Sequence, residues 1–196
     1  MNDRRKNMTE TKTRESLFST KQIVAMAVGT ALYAALTIPF NAFQIPGVWL
    51  VAVRPTIAIP IFFGFIFGPI TGFVSGFLGN IISDGVSFGG FFWNWDIGNG
   101  LIGAVPGIGY YLVKRVNWTK ASGLAWAAIL AVLGSIVGMG FAAATDYIFQ
   151  IGLSTVEAAL AELYSAGATD AVNGAILTPI LLYAYGSATA GRARRL

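Results

Sequence analysis

The sequence predicts an all-α membrane protein, a bundle of six transmembrane helices with the N and C termini in the cytoplasm. Hydrophobic residues make up 55% of the 196 residues and charged residues only 11%, about half the charged share of a soluble domain. A chain of this length cannot bury so much apolar surface in one core. The bilayer is therefore the environment that suits this composition.

Six helical segments follow from the apolar runs and the helix breakers between them. In chain order they are 22–40, 54–67, 70–82, 94–113, 121–150 and 170–187. Pro39 ends the first helix, and the Gly68-Pro69 pair forms the turn between the second and third. The run that holds the second and third helices is short for two full spans, so one helix with a re-entrant segment is the alternative.

Loops with polar residues and glycines connect these helices. A partly apolar loop is expected at 41–50 and a glycine-rich loop at 83–93. Residues 151–168 are expected to form a loop that contains a short helix around 155–164. The pattern from Ser154 to Glu157 is typical of the start of such a helix.

The basic residues indicate the orientation of the bundle. Of the 13 Lys and Arg residues, all but Arg54 fall on one side of six spans, in a flexible tail (1–19), at Lys21, in the turn 114–120 and in a basic tail (191–196). Bases concentrate in cytoplasmic segments, so residues 20–190 form the membrane domain of a multi-pass cell-membrane protein. This topology explains the net positive charge, and we expect no nucleic-acid partner.

Several classes of function are disfavoured by what the sequence lacks. It has no Cys and no His, which removes thiolate nucleophiles, most metal sites and the commonest general base. It also lacks a P-loop, so any ATPase must be another chain. We expect that the protein is not an enzyme and that it binds no metal and no cofactor. An intramembrane enzyme would have only Asp96 and Asp146 as catalytic groups. A secondary carrier would need more charges for ion coupling, and a channel would need a continuous polar path.

Polar side chains cluster at the outer ends of the predicted helices. Asp96 and Asn99 share a helix face at i, i+3, as do Asp146 and Gln150 at i, i+4. Together with aromatic rings at the same depth, they predict an outward pocket for a flat, neutral-to-polar small molecule. The candidate substrate-binding residues are Asn41, Gln44, Trp49, Asn80, Asp84, Trp93, Trp95, Asp96, Asn99, Asp146, Tyr147, Gln150 and Asn173.

Simpler interpretations compete with a binding site. The aromatic rings suit an interfacial belt, and Asp96 and Asp146 could be helix-end carboxylates that reach headgroup water. Arg54 could extend to the outer interface, pair with Asp96 or Asp146, or hold an acidic group of a ligand. Solvation alone would explain four acidic residues of the predicted loops and helix ends: Asp84, Glu157, Glu162 and Asp170.

Small residues form a stripe on the first helix. Ala27, Ala31 and Ala35 recur at every fourth position. This spacing lets another helix approach closely in lipid. The stripe serves either packing inside this chain or the docking of a partner subunit.

Two further segments stand out in the sequence: the run FGPITGFVSGFLGN at 67–80, and Asp84 followed by the FWNW patch at 92–95. On these segments the chain resembles the S components of energy-coupling factor (ECF) vitamin transporters, and above all their riboflavin-transporter family. These segments are similar to the glycine run and the W-x-W patch of that family. The alanine stripe of the first helix and the six predicted spans agree with the same family.

The resemblance implies a vitamin-binding subunit of an importer. Such a subunit captures its ligand from outside, in a pocket at the outer ends of helices four to six and the loops after helices one, three and five. Ala27, Ala31 and Ala35 would dock on a transmembrane coupling subunit driven by two cytoplasmic ATPases, and the loop 41–53 would be the gate. Riboflavin is the first expected ligand, with cobalamin or a pyrimidine precursor of thiamine as alternatives.

Overall fold

The computed structural model describes residues 19–45, 51–112, 117–151 and 155–193. Within these ranges the chain is helical, apart from turns and one isolated antiparallel bridge between Gln44 and Ala52. A short 3₁₀ turn (Pro55–Ile57) precedes the second helix. The six helices are α1 (Thr20–Phe40), α2 (Ala58–Phe67), α3 (Pro69–Phe88), α4 (Trp93–Leu112), α5 (Ala121–Phe149) and α6 (Val156–Ala193).

The first, third and fourth helices begin within two residues of the predicted positions, whereas the second begins at Ala58 rather than at residue 54, after the 3₁₀ turn. Ser19 caps α1 by accepting a hydrogen bond from the Gln22 backbone N–H, and the Gln22 side chain accepts one from the Ser19 backbone N–H in return. Gly68, with a φ of 99°, makes the sharp turn between α2 and α3 that the Gly68-Pro69 pair predicted. Pro69 then occupies the first turn of α3, where its missing N–H costs nothing.

Two further boundaries differ from the sequence prediction. The third helix continues to Phe88, so residues 83–88 are helix rather than loop, and it ends where Gly89 adopts a left-handed φ of 69°. The predicted loop 151–168 is also wrong from residue 156 onward. The expected short helix and the sixth span are one helix of 38 residues, started by Thr155, whose hydroxyl accepts from the Ala158 N–H.

The helices pack as a bundle in which sequence neighbours touch. The pairs α3–α4, α4–α5 and α5–α6 are in contact, and α1 lies against α3. The short α2 contacts α1, α3, α4 and α6, and most of its side chains are buried. A helix that is apolar on every side belongs in the interior, so α2 forms the centre of the bundle.

Glycines bring α3 and α4 together backbone to backbone. A Cβ on Gly76 would collide with the backbone of Asn99 on α4, so only glycine permits this approach. One turn further along α3, the Asn80 side chain donates a 2.8 Å hydrogen bond to Asp96 of α4. The close packing thus lets short polar side chains bridge the two helices.

Three of the described helices are long and apolar enough to cross a membrane: Thr20–Phe40, Ala121–Phe149 and Val156–Thr189. α3 and α4 are each 20 residues long, but their glycines and polar side chains lower their hydropathy. The 10 residues of α2 span only about 15 Å. The fold is therefore that of an all-α membrane protein, and the depth of the α2–α3 hairpin in the bilayer stays a prediction.

The two ends of the bundle differ in character. At one end, the Asn41 side chain after α1 donates to Ser87 near the end of α3, over 3.0 Å. At the opposite end, the Lys21 ammonium lies 5.6 Å from the centre of the Phe67 ring. The described parts of the predicted tails and of the turn 114–120 also belong to this second end; residues 1–18, 113–116 and 194–196 lie outside the described ranges.

Candidate functional site

A cavity of about 220 Å³ lies at the end of the bundle where α3 and α5 end and α4 and α6 begin. On the same scale one water needs only ~10–15 Å³, so the space is far larger than a solvent void. Helix ends and the segment before α2 form its wall. The wall residues are Val51, Ala52, Arg54, Asp84, Phe88, Phe91, Phe92, Trp93, Asn94, Trp95, Asn99, Met139, Asp146, Ile151, Glu162, Ala166 and Asp170.

A hydrogen-bonded network around Arg54 closes one side of the cavity. Nη2 of Arg54 lies 3.6 Å from Oδ1 of Asp84, and Nη1 donates a 2.9 Å hydrogen bond to Oδ1 of Asn80. The Asn80 amide donates in turn to Asp84 and to Asp96, at 2.8 Å each. The side chains of this network are largely buried. Its hydrogen bonds and ion pair offset the cost of removing the charged groups from water.

Asp146 organises the opposite side. Its carboxylate accepts a 2.6 Å hydrogen bond from the amide of Asn94 at Oδ1 and a 2.6 Å bond from the indole N–H of Trp95 at Oδ2. Charge-assisted bonds of this kind are stronger than neutral ones. They tie the end of α5 to the start of α4 and fix the plane of the Trp95 ring at the cavity wall.

Asn99 is held in the wall by two neighbours. Its Oδ1 accepts a 2.8 Å bond from the hydroxyl of Tyr33, which is fully buried on α1. Its amide donates to the backbone carbonyl of Trp95 over 2.9 Å. With both ends of the side chain bonded, the orientation of Asn99 is set before any ligand arrives.

Aromatic rings supply the flat surfaces of the site. Trp93 meets Phe149 edge to face, with ring centres 6.0 Å apart, a favourable geometry for an aromatic pair. Phe91 is 62% exposed and lies at the edge of the cavity. Rings of this kind stack on flat ligands, while the carboxylates and amides beside them fix hydrogen-bonding edges.

Five of the predicted binding residues lie in the wall: Asp84, Trp93, Trp95, Asn99 and Asp146. Two more, Asn80 and Asp96, lie behind it and bond each other. The remaining predicted residues are outside the wall: Asn41 is buried against Ser87, Asn173 is half-buried, and Gln44, Tyr147 and Gln150 are exposed. Trp49 lies outside the described residues. Contact of any of these side chains with a ligand stays a prediction.

Solvation alone, the simpler interpretation of Asp84, Glu162 and Asp170, is wrong for all three. They are buried, at 3%, 5% and 4% exposure, and they line the cavity. Glu162 and Asp170 were also absent from the predicted binding residues. The signal that could have found them is helical spacing, because Glu162, Ala166 and Asp170 recur at i, i+4 and i+8 on one face of α6. This spacing was missed because residues 151–168 were predicted to be a loop.

Arg54 also differs from its expected partners. It was expected at the interface, beside Asp96 or Asp146, or on an acidic ligand, but its ion pair is with Asp84. Asp96 is reached only through Asn80. The pairing with Asp96 or Asp146 was wrong because Asp84 was placed in a loop, whereas α3 continues past it and turns its carboxylate towards Arg54. Contact of Arg54 with an acidic group of a ligand stays a prediction.

The alanine stripe of α1 lies on the outside of the chain. Ala27, Ala31 and Ala35 are exposed, whereas Gly29 and Tyr33 face the interior. A Cβ on Gly29 would collide with the side chain of Ser75 on α3, so internal packing uses a different face of α1. The docking role of the stripe stays a prediction.

The described residues contain no group of three or more His, Cys, Asp or Glu side chains arranged to hold a metal ion. No solved structure matches the chain. Residues 17–187 match the family described as ECF-type riboflavin transporter, S component. The match spans the glycine run, the aromatic patch and all six helices up to the last turns of α6, and it confirms the family that the sequence resembles. The chain belongs to the family of S components of ECF-type riboflavin transporters.

Proposed function

We propose that this protein captures riboflavin from outside the cell as the substrate-binding component of an ECF importer. The observation that carries the proposal is the cavity at one end of the bundle, whose wall combines aromatic rings with fixed carboxylates and amides. Riboflavin is a flat ring system with a hydrogen-bonding edge and a chain of hydroxyl groups. Each of these parts has a chemical counterpart in the wall.

The flat ring system suits the tryptophan side of the cavity. Trp95 is held by Asp146 and Trp93 is packed on Phe149, so the rings are positioned before binding and little ordering entropy is lost when a ligand stacks on them. The amide of Asn99 lies in the same wall. An amide is suited to the carbonyl and N–H groups at the edge of such a ring system.

The charge distribution supports an outward orientation for the cavity. Lys21 and Lys120 lie at the bundle end opposite the cavity, with the starts of α1 and α5. The positive-inside rule places that end in the cytoplasm. Both termini are then cytoplasmic, all six helices belong to a multi-pass bundle in a prokaryotic plasma membrane, and the cavity faces the outside.

The segment before α2 suits the role of a gate. Residues 43–45 and 51–53 pair antiparallel: the Ile45 N–H donates to the Val51 carbonyl over 2.7 Å and the Val53 N–H to the Phe43 carbonyl over 3.0 Å. Val51 and Ala52 line the cavity. Movement of the segment 51–53 would open the cavity without disturbing the packed helices.

The energy for uptake would come from other chains. The sequence has no P-loop, and the family implies a transmembrane coupling subunit and two cytoplasmic ATPases. The exposed stripe Ala27, Ala31 and Ala35 is the surface that we assign to the coupling subunit, because small side chains allow close helix contact in lipid.

Two measurements on the full chain test this proposal. Mass spectrometry of the ligand that co-purifies should identify riboflavin; a cobalamin or a pyrimidine precursor of thiamine would replace it as the substrate. In liposomes, uptake should require the coupling subunit, both ATPases and ATP. Uptake by this chain alone would instead identify a stand-alone secondary carrier.

A further inference from the structure

Two carboxyl groups line the cavity where α5 and α6 border it. Asp146 and Glu162 are 3% and 5% exposed, and both belong to the wall. Buried carboxylates that share one cavity wall disfavour each other's negative charge. A ligand that donates hydrogen bonds to them offsets this cost.

The two carboxyl groups differ in the hydrogen bonds that their oxygens accept. Both oxygens of Asp146 accept bonds, from Asn94 and Trp95. Oε2 of Glu162 is buried without a hydrogen-bond donor from the described residues. A buried acceptor without a donor is costly and rare. Oδ1 of Asp84, the other described wall oxygen of this kind, lies 3.6 Å from the Arg54 guanidinium, whereas Oε2 of Glu162 awaits a partner.

The charge of the cavity as a whole is acidic. Among the described wall residues, the one cation is Arg54, and it is already paired with Asp84. Asp170, Asp146 and Glu162 add further carboxyl groups. A ligand with hydrogen-bond donors and no negative charge suits such a wall, whereas a phosphate, which carries about −1.5 to −2 charges near neutral pH, does not.

We propose that Glu162, together with Asp146, forms a subsite for the hydroxylated chain of the ligand and selects the free vitamin against its phosphorylated form. This inference rests on the proposed function and assigns a specificity role to a residue of that site. Hydroxyl groups donate to the Glu162 carboxylate and replace the missing donor. A phosphate on the same chain meets the carboxyl pair instead and is repelled.

Glu162→Gln tests the subsite, because glutamine keeps the size and one acceptor oxygen and removes the negative charge. Glu157→Gln is the matched control, since Glu157 is exposed in the first turn of the same helix and lies outside the cavity wall. Three probes are titrated by calorimetry into each purified full-length protein: riboflavin, riboflavin 5′-phosphate and a flavin with a methyl group in place of the hydroxylated chain.

The expected result is a change in selectivity rather than a general loss of binding. The wild type and E157Q should bind riboflavin at least about tenfold more tightly than its phosphate. In E162Q the ratio of the riboflavin affinity to the phosphate affinity should fall by about tenfold, because riboflavin binds more weakly and its phosphate more tightly. The flavin without hydroxyls should bind as in the wild type.

The outcomes separate the two proposals. If E162Q keeps the wild-type ratio of riboflavin to phosphate affinity, the subsite is overturned and the proposed function stays intact. The same holds if the flavin without hydroxyls loses as much affinity as riboflavin. A wild-type protein that binds none of the three flavins overturns the proposed function, and the subsite with it.

Discussion

Arg54 and Asp84 form an ion pair at the cavity wall, with Nη2 and Oδ1 3.6 Å apart. The pair joins the segment before α2 to the last turns of α3. Asn80 completes it, because its carbonyl accepts from Arg54 and its amide donates to both Asp84 and Asp96. One neutral amide thus connects a cation with two carboxylates.

Asn80→Ala should destabilise the protein. The substitution leaves Asp96 and one Arg54 nitrogen without their described partner, and an unsatisfied buried group costs ~1–3 kcal/mol, more when it is charged. The thermal unfolding temperature in detergent should fall clearly. Asn173→Ala is the matched control, because Asn173 is half-buried and has no hydrogen bond within the described residues; equal unfolding temperatures for the two variants would contradict this account of the network.

Asp146 and Trp95 should act as a unit in ligand binding. Hydrogen bonds to charged groups contribute ~1.5–3 kcal/mol, so Asp146→Ala and Trp95→Phe should each weaken ligand affinity by about tenfold, as the ring loses its fixed position. In the double variant the loss should be no greater than in D146A alone. Calorimetric titration of all four proteins measures the coupling, and strictly additive losses would show that the bond does not position the ring.

Trp93 should contribute through its ring surface. Trp93→Ala removes a flat wall of the cavity, and the aromatic contact adds about 0.5–1.5 kcal/mol beyond the buried area, so affinity should fall by about tenfold. Trp126→Ala is the control, because Trp126 is 54% exposed on α5, away from the cavity wall. Fluorescence titration compares the two, and the same affinity in both would exclude Trp93 from the site.

The α1 stripe should affect uptake without affecting ligand binding. Ala31→Trp places a large side chain on the surface assigned to the coupling subunit, where close helix approach needs small residues. Ligand affinity should stay unchanged while ATP-driven uptake in reconstituted liposomes is lost. Ile136→Trp, at an exposed position on α5, should retain uptake; normal uptake by A31W would contradict docking at the stripe.

The sequence predicted most of the helices because their signals are local. Pro39 and the Gly68-Pro69 pair act through their own backbone geometry, so the helices beside them begin or end within a residue or two of the prediction. The end of α3 was missed because polar residues at 83–88 resemble a loop. What ends this helix is the left-handed Gly89.

The candidate site was predicted only in part, because its geometry depends on non-local packing. Asp146 and Asn99 could be chosen from depth and helical spacing, and both line the cavity. Glu162 was missed, because its helical spacing with Ala166 and Asp170 becomes visible only when α6 is continuous through the region that was predicted to be a loop. Asp96 was predicted to bind the ligand but lies behind the wall. Close packing of α3 on α4 turns its carboxylate towards Asn80 rather than towards the cavity.

The central claim is that the cavity at the outer end of the bundle binds riboflavin. The most direct test is a fluorescence titration of riboflavin into the purified, ligand-free full chain, with D146A beside it. The account predicts saturable quenching at one riboflavin per chain, with affinity about tenfold weaker in D146A. An absence of saturable quenching in the wild type, or equal affinity in both proteins, would contradict it.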